Sequence, residues 1–185
     1  MKFGRLLLVA IFLAGCQSVQ RSPLTHVAYV DLPRFMGDWY VIASIPTFIE
    51  EGAHNAVESY RLADDGTIAT TFSFRAGGFD GNPKRYTPRG FVKDRISNAV
   101  WGMQFFWPLR SDYQIAYLKA DYTQTVVGRQ RRDYLWIMAR TPQIPDADYQ
   151  RILQFVATQG YDTSRIRKAP QRWESRAAGP QGATR

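Results

Sequence analysis

The 185-residue chain has a single cysteine, Cys16, and only two histidines, His26 and His54. One cysteine excludes an internal disulfide framework, and the shortage of both residue types excludes a zinc site built from several Cys or His ligands. Nucleophile–histidine chemistry is poorly served for the same reason. His54 is a candidate base, but no Ser, Cys or paired carboxylate stands at a recognisable spacing from it. Lysine is also scarce, at 5 against 19 arginines, within a formal charge of +8. The cations are scattered, with the densest run at Arg129, Arg131 and Arg132. No basic arm and no RNA-binding signature accompanies them, so nucleic acid is not an expected partner. The apolar run at residues 6–13 (LLLVAIFL) is about half of what a bilayer crossing needs, so no permanent transmembrane helix is expected there.

That run follows Lys2 and Arg5 and precedes Ala14-Gly15-Cys16. A charged start, a short apolar stretch and small residues at the cleavage point describe a secretory signal over residues 1–15. Leu13-Ala14-Gly15-Cys16 resembles the bacterial lipobox, which implies that Cys16 is acylated, palmitate included, and becomes the first residue of the mature chain. Gln17 rather than Asp follows it. By resemblance to enterobacterial lipoprotein sorting, this implies the outer membrane; the periplasmic face is the expected side, with the cell surface left open. Residues 16–29 are polar with one proline and read as a lipid-anchored tether with His26 solvated. Residues 175–185 are small and polar and read as a disordered tail.

Residues 30–174 form one domain. Aromatics are plentiful, at 14% of the chain, and short alternating segments recur about every ten residues, the pattern of an up-and-down β protein. Candidate strands lie at 55–62, 67–75, 86–94, 99–107, 113–119, 122–127 and 134–140. Residues 76–83 read as a loop. From Asp146 to Gln159 the period changes. Tyr149, Ile152, Leu153 and Val156 fall at helical spacing, with Asp146 as a cap and Gly160 as the stop. A short last strand is expected near Ile166. Eight strands closed on themselves leave no sheet edge and leave room for one small ligand. The alternation puts Phe72, Phe74, Trp101, Met103, Phe105, Tyr113, Ile115, Tyr117, Trp136 and Met138 on inward faces, with Tyr60 near an opening. As a set these residues point to an aromatic-lined cavity, against a plain packed core.

Three motifs carry a family resemblance. Gly37-Asp38-Trp39-Tyr40 resembles the G-x-W signature of the lipocalins, Asp121-Tyr122 followed by Val126-Val127-Gly128 resembles their second motif, and residues 133–142 (DYLWIMARTP) resemble the third. Together with the lipobox, the chain resembles the bacterial outer-membrane lipoprotein lipocalins. The resemblance implies an all-β fold: an eight-stranded up-and-down antiparallel barrel with one C-terminal α-helix packed outside. It also implies that Gly37, Trp39, Asp121, Tyr122 and Arg140 are structural, with the Arg140 guanidinium across the Trp39 ring at the closed end. It places residues 45–51 as a lid loop at the open end, with Phe48 and Ile49 free to meet a ligand tail or a membrane. Arg61, Arg75, Arg89 and Lys93 are candidate cations for a head group.

The expected function is that of a non-enzymatic, lipid-anchored outer-membrane lipocalin, with no metal and no cofactor. It would bind, store or transport fatty acids, lysophospholipids or similar amphiphiles for envelope maintenance. Its expected partners are the lipid itself and, through acylated Cys16, the outer membrane; a homodimer is left open. The rivals are a filled barrel serving as an envelope interaction module, an enzyme using the cavity around His54, and a carrier of haem, bilin or retinoid.

Overall fold

The computed structural model describes residues 22–173. The segment read as a signal peptide (1–15), Cys16 and the tail expected at 175–185 lie outside the described residues. The chain starts along the outside of the barrel and forms a short helix α1 (Leu32–Phe35). Nine strands follow: β1 (Gly37–Ile45), β2 (Ala53–Leu62), β3 (Ile68–Ala76), β4 (Pro83–Tyr86), β5 (Arg89–Val92), β6 (Val100–Phe106), β7 (Leu109–Leu118), β8 (Gln124–Gly128) and β9 (Leu135–Ala139). Helix α2 (Asp146–Thr158) and a two-residue strand β10 (Arg167–Lys168) end the fold. All pairings are antiparallel between neighbours, and β9 returns to β1, with Tyr40 opposite Ala139 and Ile45 opposite Leu135. This is a closed eight-strand antiparallel barrel with two extra strands. Among the described residues no helix is long and apolar enough to cross a membrane.

The fourth stave is broken, which the alternation did not reveal. β4 pairs with the upper part of β3 and β5 with its lower part, with Thr87 and Pro88 between them. Proline has no N–H to give to a ladder, and its carbonyl instead accepts from the Thr70 amide at 3.1 Å. The loop expected at 76–83 therefore ends in a strand. β7 also begins earlier than expected. Phe106 pairs with Leu109 across a two-residue turn, so the hairpin runs to its tip instead of breaking at 108–112.

The antiparallel order sorts the connections into two ends. The β2–β3, β5–β6 and β7–β8 connections lie at the end closed by α1; the β1–β2, β3–β4, β6–β7 and β8–β9 connections lie at the other. Two apolar clusters hold these layers. One fills the barrel around Trp39, Phe35, Trp101 and Ile115, and the other joins the outer wall to Tyr149, Ile152 and Val156 of α2. Helix α2 starts at Asp146 itself, with Pro145 preceding it and no side-chain cap, so Asp146 is not the cap. Gly160, just past the end, takes a φ of +82°.

Residues 22–29 are not a free tether. Leu24 is buried, its amide donates to Gln130 Oε1 at 2.9 Å, and the Val27 amide donates to the Ile115 carbonyl at 3.0 Å. Leu24 joins the apolar cluster shared with α2, and Val27 packs against the cluster that fills the barrel. The segment thus runs from the β8–β9 loop down to the closed end, where the Val30 amide donates to the Ser97 carbonyl at 2.7 Å. The C-terminal strand seals a seam. β1 pairs with β2 only over Gly37–Tyr40, and above that point Ala43 and Ser44 pair with Lys168 and Arg167. Gln171 Nε2 then donates to the carbonyls of both Val41 and Ala56, bridging the gap.

Candidate functional site

The closed end is a solid plug. Trp39 is fully buried, and its indole N–H donates to the Phe35 carbonyl at 2.9 Å. The Arg140 guanidinium lies 3.8 Å over the Trp39 ring. It donates to the carbonyls of Asp38 (2.8 Å), Arg34 (3.0 Å), Phe35 (2.9 Å), Met36 (2.8 Å) and Tyr122 (3.4 Å). A planar fork of five N–H donors suits such a ring of acceptors, which a lysine could not serve. Gly37, at φ +94°, lets the backbone pass this fork; a Cβ there would meet Arg140 Nη1 at 3.4 Å. Tyr122 lies in the turn before β8, its hydroxyl accepting from the Asp31 amide at 2.9 Å and its ring under Arg34. Asp121 closes the same turn by accepting from Thr123. The three sequence motifs thus meet at one place.

Above the plug the interior is packed with rings. Phe35 contacts Trp39, Tyr60 and Trp101 at centroid distances of 4.9, 5.6 and 5.7 Å, and Trp101 stacks on Tyr113 at 5.6 Å. Tyr60, Trp101, Ile115 and Met138 are inside the barrel, but in this filled part; Phe74 lies nearer the mouth, buried between Phe72 and Tyr86 at centroid distances of 5.1 and 6.2 Å, and does not line the cavity. Phe35, carried in by α1, occupies the space next to Tyr60 and Trp101. Phe72, Met103, Phe105, Tyr113 and Trp136 do face open space, a cavity of about 200 Å³ at the mouth. Tyr117 is a correction. A bulge between Ile115 and Tyr117 shifts the register and turns Tyr117 outward, where its ring packs on Phe155 of α2 at 5.5 Å.

The rest of the cavity wall comes from Thr47, Phe48, Ile49 and Glu50 of the β1–β2 loop, from Phe106, Ser111 and Asp112 of the β6–β7 hairpin, and from Arg129 and Tyr134 of the β8–β9 loop. Its floor is polar. Glu58 is buried, and its carboxylate accepts from the hydroxyls of Tyr60 and of Tyr113, the latter at 3.0 Å. Burial pushes the Glu58 carboxyl up to about 7; the Tyr60 and Tyr113 hydroxyls restrain the rise, and the nearby Glu50 charge adds to it. Glu50 is likewise raised by burial, though it accepts from the Thr47 amide at 2.7 Å and the Trp136 indole at 2.7 Å. A side compartment of about 370 Å³ adjoins the cavity at Glu50 and Phe72, with His54, Arg167 and Lys168 on its walls.

Neither Glu58 nor Arg129 was singled out by the sequence reading. Glu58 could have been found, since it lies two residues before Tyr60 and therefore on the same inward face. Arg129 could not, because it is one of three arginines in a loop. Its Nε is buried without a hydrogen-bond partner, 3.5 Å from the Asp133 carboxylate, and its guanidinium lies 5.1 Å over the Tyr134 ring. The cations that were singled out lie elsewhere. Arg89 pairs with Asp65 at 3.2 Å, Arg61 and Lys93 belong to the closed end, and Arg75 donates to the Gly81 carbonyl. None of them lines either cavity. His54 Nδ1 lies 3.0 Å from the Gly52 carbonyl, with its ring edge-on to Phe79.

Comparison with known proteins settles the family. The lipocalin-like domain matches residues 30–171. The chain belongs to the lipocalin family. This lipocalin is 29% identical over 169 residues to the outer membrane lipoprotein Blc of Escherichia coli K12, covering 85% of this chain and 89% of Blc. It is also 29% identical over 158 residues to temperature-induced lipocalin-1 of Arabidopsis thaliana, covering 82% and 85%. Among solved structures, the cockroach allergen Per a 4 superposes with a TM-score of 0.61 at 16% identity, over 82% of this chain and 95% of the allergen. Insecticyanin of the tobacco hornworm Manduca sexta gives 0.61 at 14% identity, over 80% and 85%.

Proposed function

We propose that this lipocalin is a lipid-anchored, non-enzymatic carrier of single-chain amphiphiles, fatty acids or lysophospholipids, at the periplasmic face of the outer membrane, serving envelope maintenance. The observation that carries the reading is the half-filled barrel: rings occupy the closed half, and an aromatic-walled cavity opens at the mouth. A cavity of about 200 Å³ is smaller than the roughly 300–1,000 Å³ of drug-sized sites and suits part of one acyl chain. The tail would lie against Phe72, Met103, Phe105, Tyr113 and Trp136. Each buried CH₂ contributes about 0.8 kcal/mol.

The polar head stays at the mouth. An anion is disfavoured at the floor, where Glu58 and Glu50 already carry the cost of buried carboxyls. Arg129 is the cation that lines the cavity at the rim, its Nε turned to Asp133, and its guanidinium is placed to pair with a phosphate or carboxylate at the mouth. Anchoring through acylated Cys16 is supported by the lipobox-like residues 13–16 and by the likeness to Blc proteins, which are named as outer membrane lipoproteins.

Native mass spectrometry of the domain lacking Cys16, purified from bacterial cells and titrated with lysophospholipid, tests the carrier reading. A discrete lipid-sized mass addition that is lost on delipidation and restored by titration is expected. No addition at micromolar lysophospholipid or fatty acid would overturn it.

A further inference from the structure

The exposed apolar side chains are distributed unevenly. Phe106, Trp107 and Leu109, at the tip of the β6–β7 hairpin, are 62%, 87% and 73% exposed, and Phe48 of the lid loop is 79% exposed. All four stand at the open end, around the mouth of the cavity. Residues 105–110 (FFWPLR) contain no acid, and Arg110 beside the tip lies 3.5 Å over the Phe91 ring. An exposed apolar projection with a tryptophan at its apex has the chemistry of a bilayer-interface anchor.

The path of the chain identifies what covers it. The described chain begins at the same end: the Ser22 carbonyl accepts from Arg132 Nη2 at 2.9 Å, and the Leu24 amide donates to Gln130 Oε1, both in the β8–β9 loop. Cys16 is six residues before Ser22, a reach of at most about 20 Å even if fully extended. A lipid on Cys16 therefore enters the bilayer on the side of the molecule where the hairpin tip projects.

We propose that the open end is a membrane-docking face, with Phe106, Trp107, Leu109 and Phe48 inserted into the leaflet that holds the Cys16 lipid, so that the mouth opens onto the bilayer surface. This rests on the anchoring half of the proposed function but not on the identity of the cargo. In this orientation an amphiphile passes between leaflet and cavity along the β6–β7 hairpin without crossing bulk water. The closed end, with Ile96 at 88% exposure, faces away.

The test uses the full acylated lipoprotein in vesicles of phosphatidylethanolamine and phosphatidylglycerol, spin-labelled at Leu109→Cys or, as a control, at Ile96→Cys. Acylation occupies Cys16, so each label has one thiol. The label at 109 should be shielded from an aqueous nickel chelate and relaxed by oxygen, at least tenfold differently from the label at 96. Equal aqueous exposure of both labels, on protein whose mass shows the acyl chains, overturns the docking and leaves the anchor standing. Protein found without acyl chains overturns the anchor. It should then still sediment with vesicles through the tip, and Trp107→Ser with Leu109→Ser should reduce that binding at least tenfold; no difference overturns docking. Shielding of the label at 109 without vesicles, growing with protein concentration, assigns the tip to a second copy and overturns the proposal.

Discussion

The two ends of this barrel solve opposite problems with the same kinds of residue. At the closed end an arginine, a tryptophan and a tyrosine satisfy one another: Arg140 serves five carbonyls, and Trp39 lies under it with its own N–H bonded. At the open end the same residue types are left incomplete. The buried Nε of Arg129 faces Asp133 at 3.5 Å without a hydrogen bond, Trp107 stands in solvent, and Glu58 holds a raised carboxyl below the cavity. Polar groups that are complete rigidify a fold, and those left incomplete are available to a ligand. The difference separates the half that holds the barrel shut from the half that acts.

Breaking the closed end has the largest consequence. Trp39→Ala should cost about 3–5 kcal/mol, because it empties a fully buried site and strips Arg140 of its ring. Denaturant unfolding measures it, and a loss below 1 kcal/mol would mean that the plug is not the clasp of the barrel.

Glu58 comes next. Its folded-state pKa of about 7 exceeds the ordinary 4.5, so the folded form holds the proton more tightly than the unfolded chain. That contribution is complete below about pH 4.5 and is lost as pH rises to 7, a decline of about 3 kcal/mol. In Glu58→Gln this slope should vanish from the stability–pH profile while the wild type keeps it.

Gly128 tests the wall between the two ends. A Cβ there would lie 2.3 Å from Tyr161 Oη, whose hydroxyl accepts from the Arg129 amide at 2.7 Å. Gly128→Ala should cost about 1–3 kcal/mol by overpacking, and equilibrium unfolding would show it.

The open end should tolerate change. Arg129→Gln should weaken lysophospholipid binding about tenfold, the 1.4 kcal/mol of one charge-assisted contact. Equal affinity would remove Arg129 from the head-group role. Smallest of all, Trp107→Ser with Leu109→Ser should leave stability in solution within about 0.5 kcal/mol. A cooperative loss in thermal unfolding would show that the tip is core, not surface.

What the sequence revealed follows the same division. Short motifs carry the closed end, so Gly37, Trp39, Tyr122 and Arg140, far apart in sequence, could be gathered through their resemblance to the lipocalin signatures. The single late helix was legible from its local periodicity. Alternation fails where the chain breaks its own period. The bulge after Ile115 turned Tyr117 outward, and Pro88 cut one stave into two. Depth along the barrel is invisible to alternation as well. Trp101 and Trp136 are both inward, but only long-range packing puts Phe35 next to the first and open space beside the second. Packing of residues 22–29 also depended on partners about a hundred residues away, which a polar composition does not announce.

The most direct measurement of that depth is fluorine NMR of the protein labelled with 5-fluorotryptophan during titration with lysophospholipid. The Trp136 resonance should shift with saturation, while Trp39 and Trp101, sealed in the filled half, should not move. Shifts at Trp39 or Trp101, or a silent Trp136 in a lipid-loaded sample, would contradict a barrel filled below and open above.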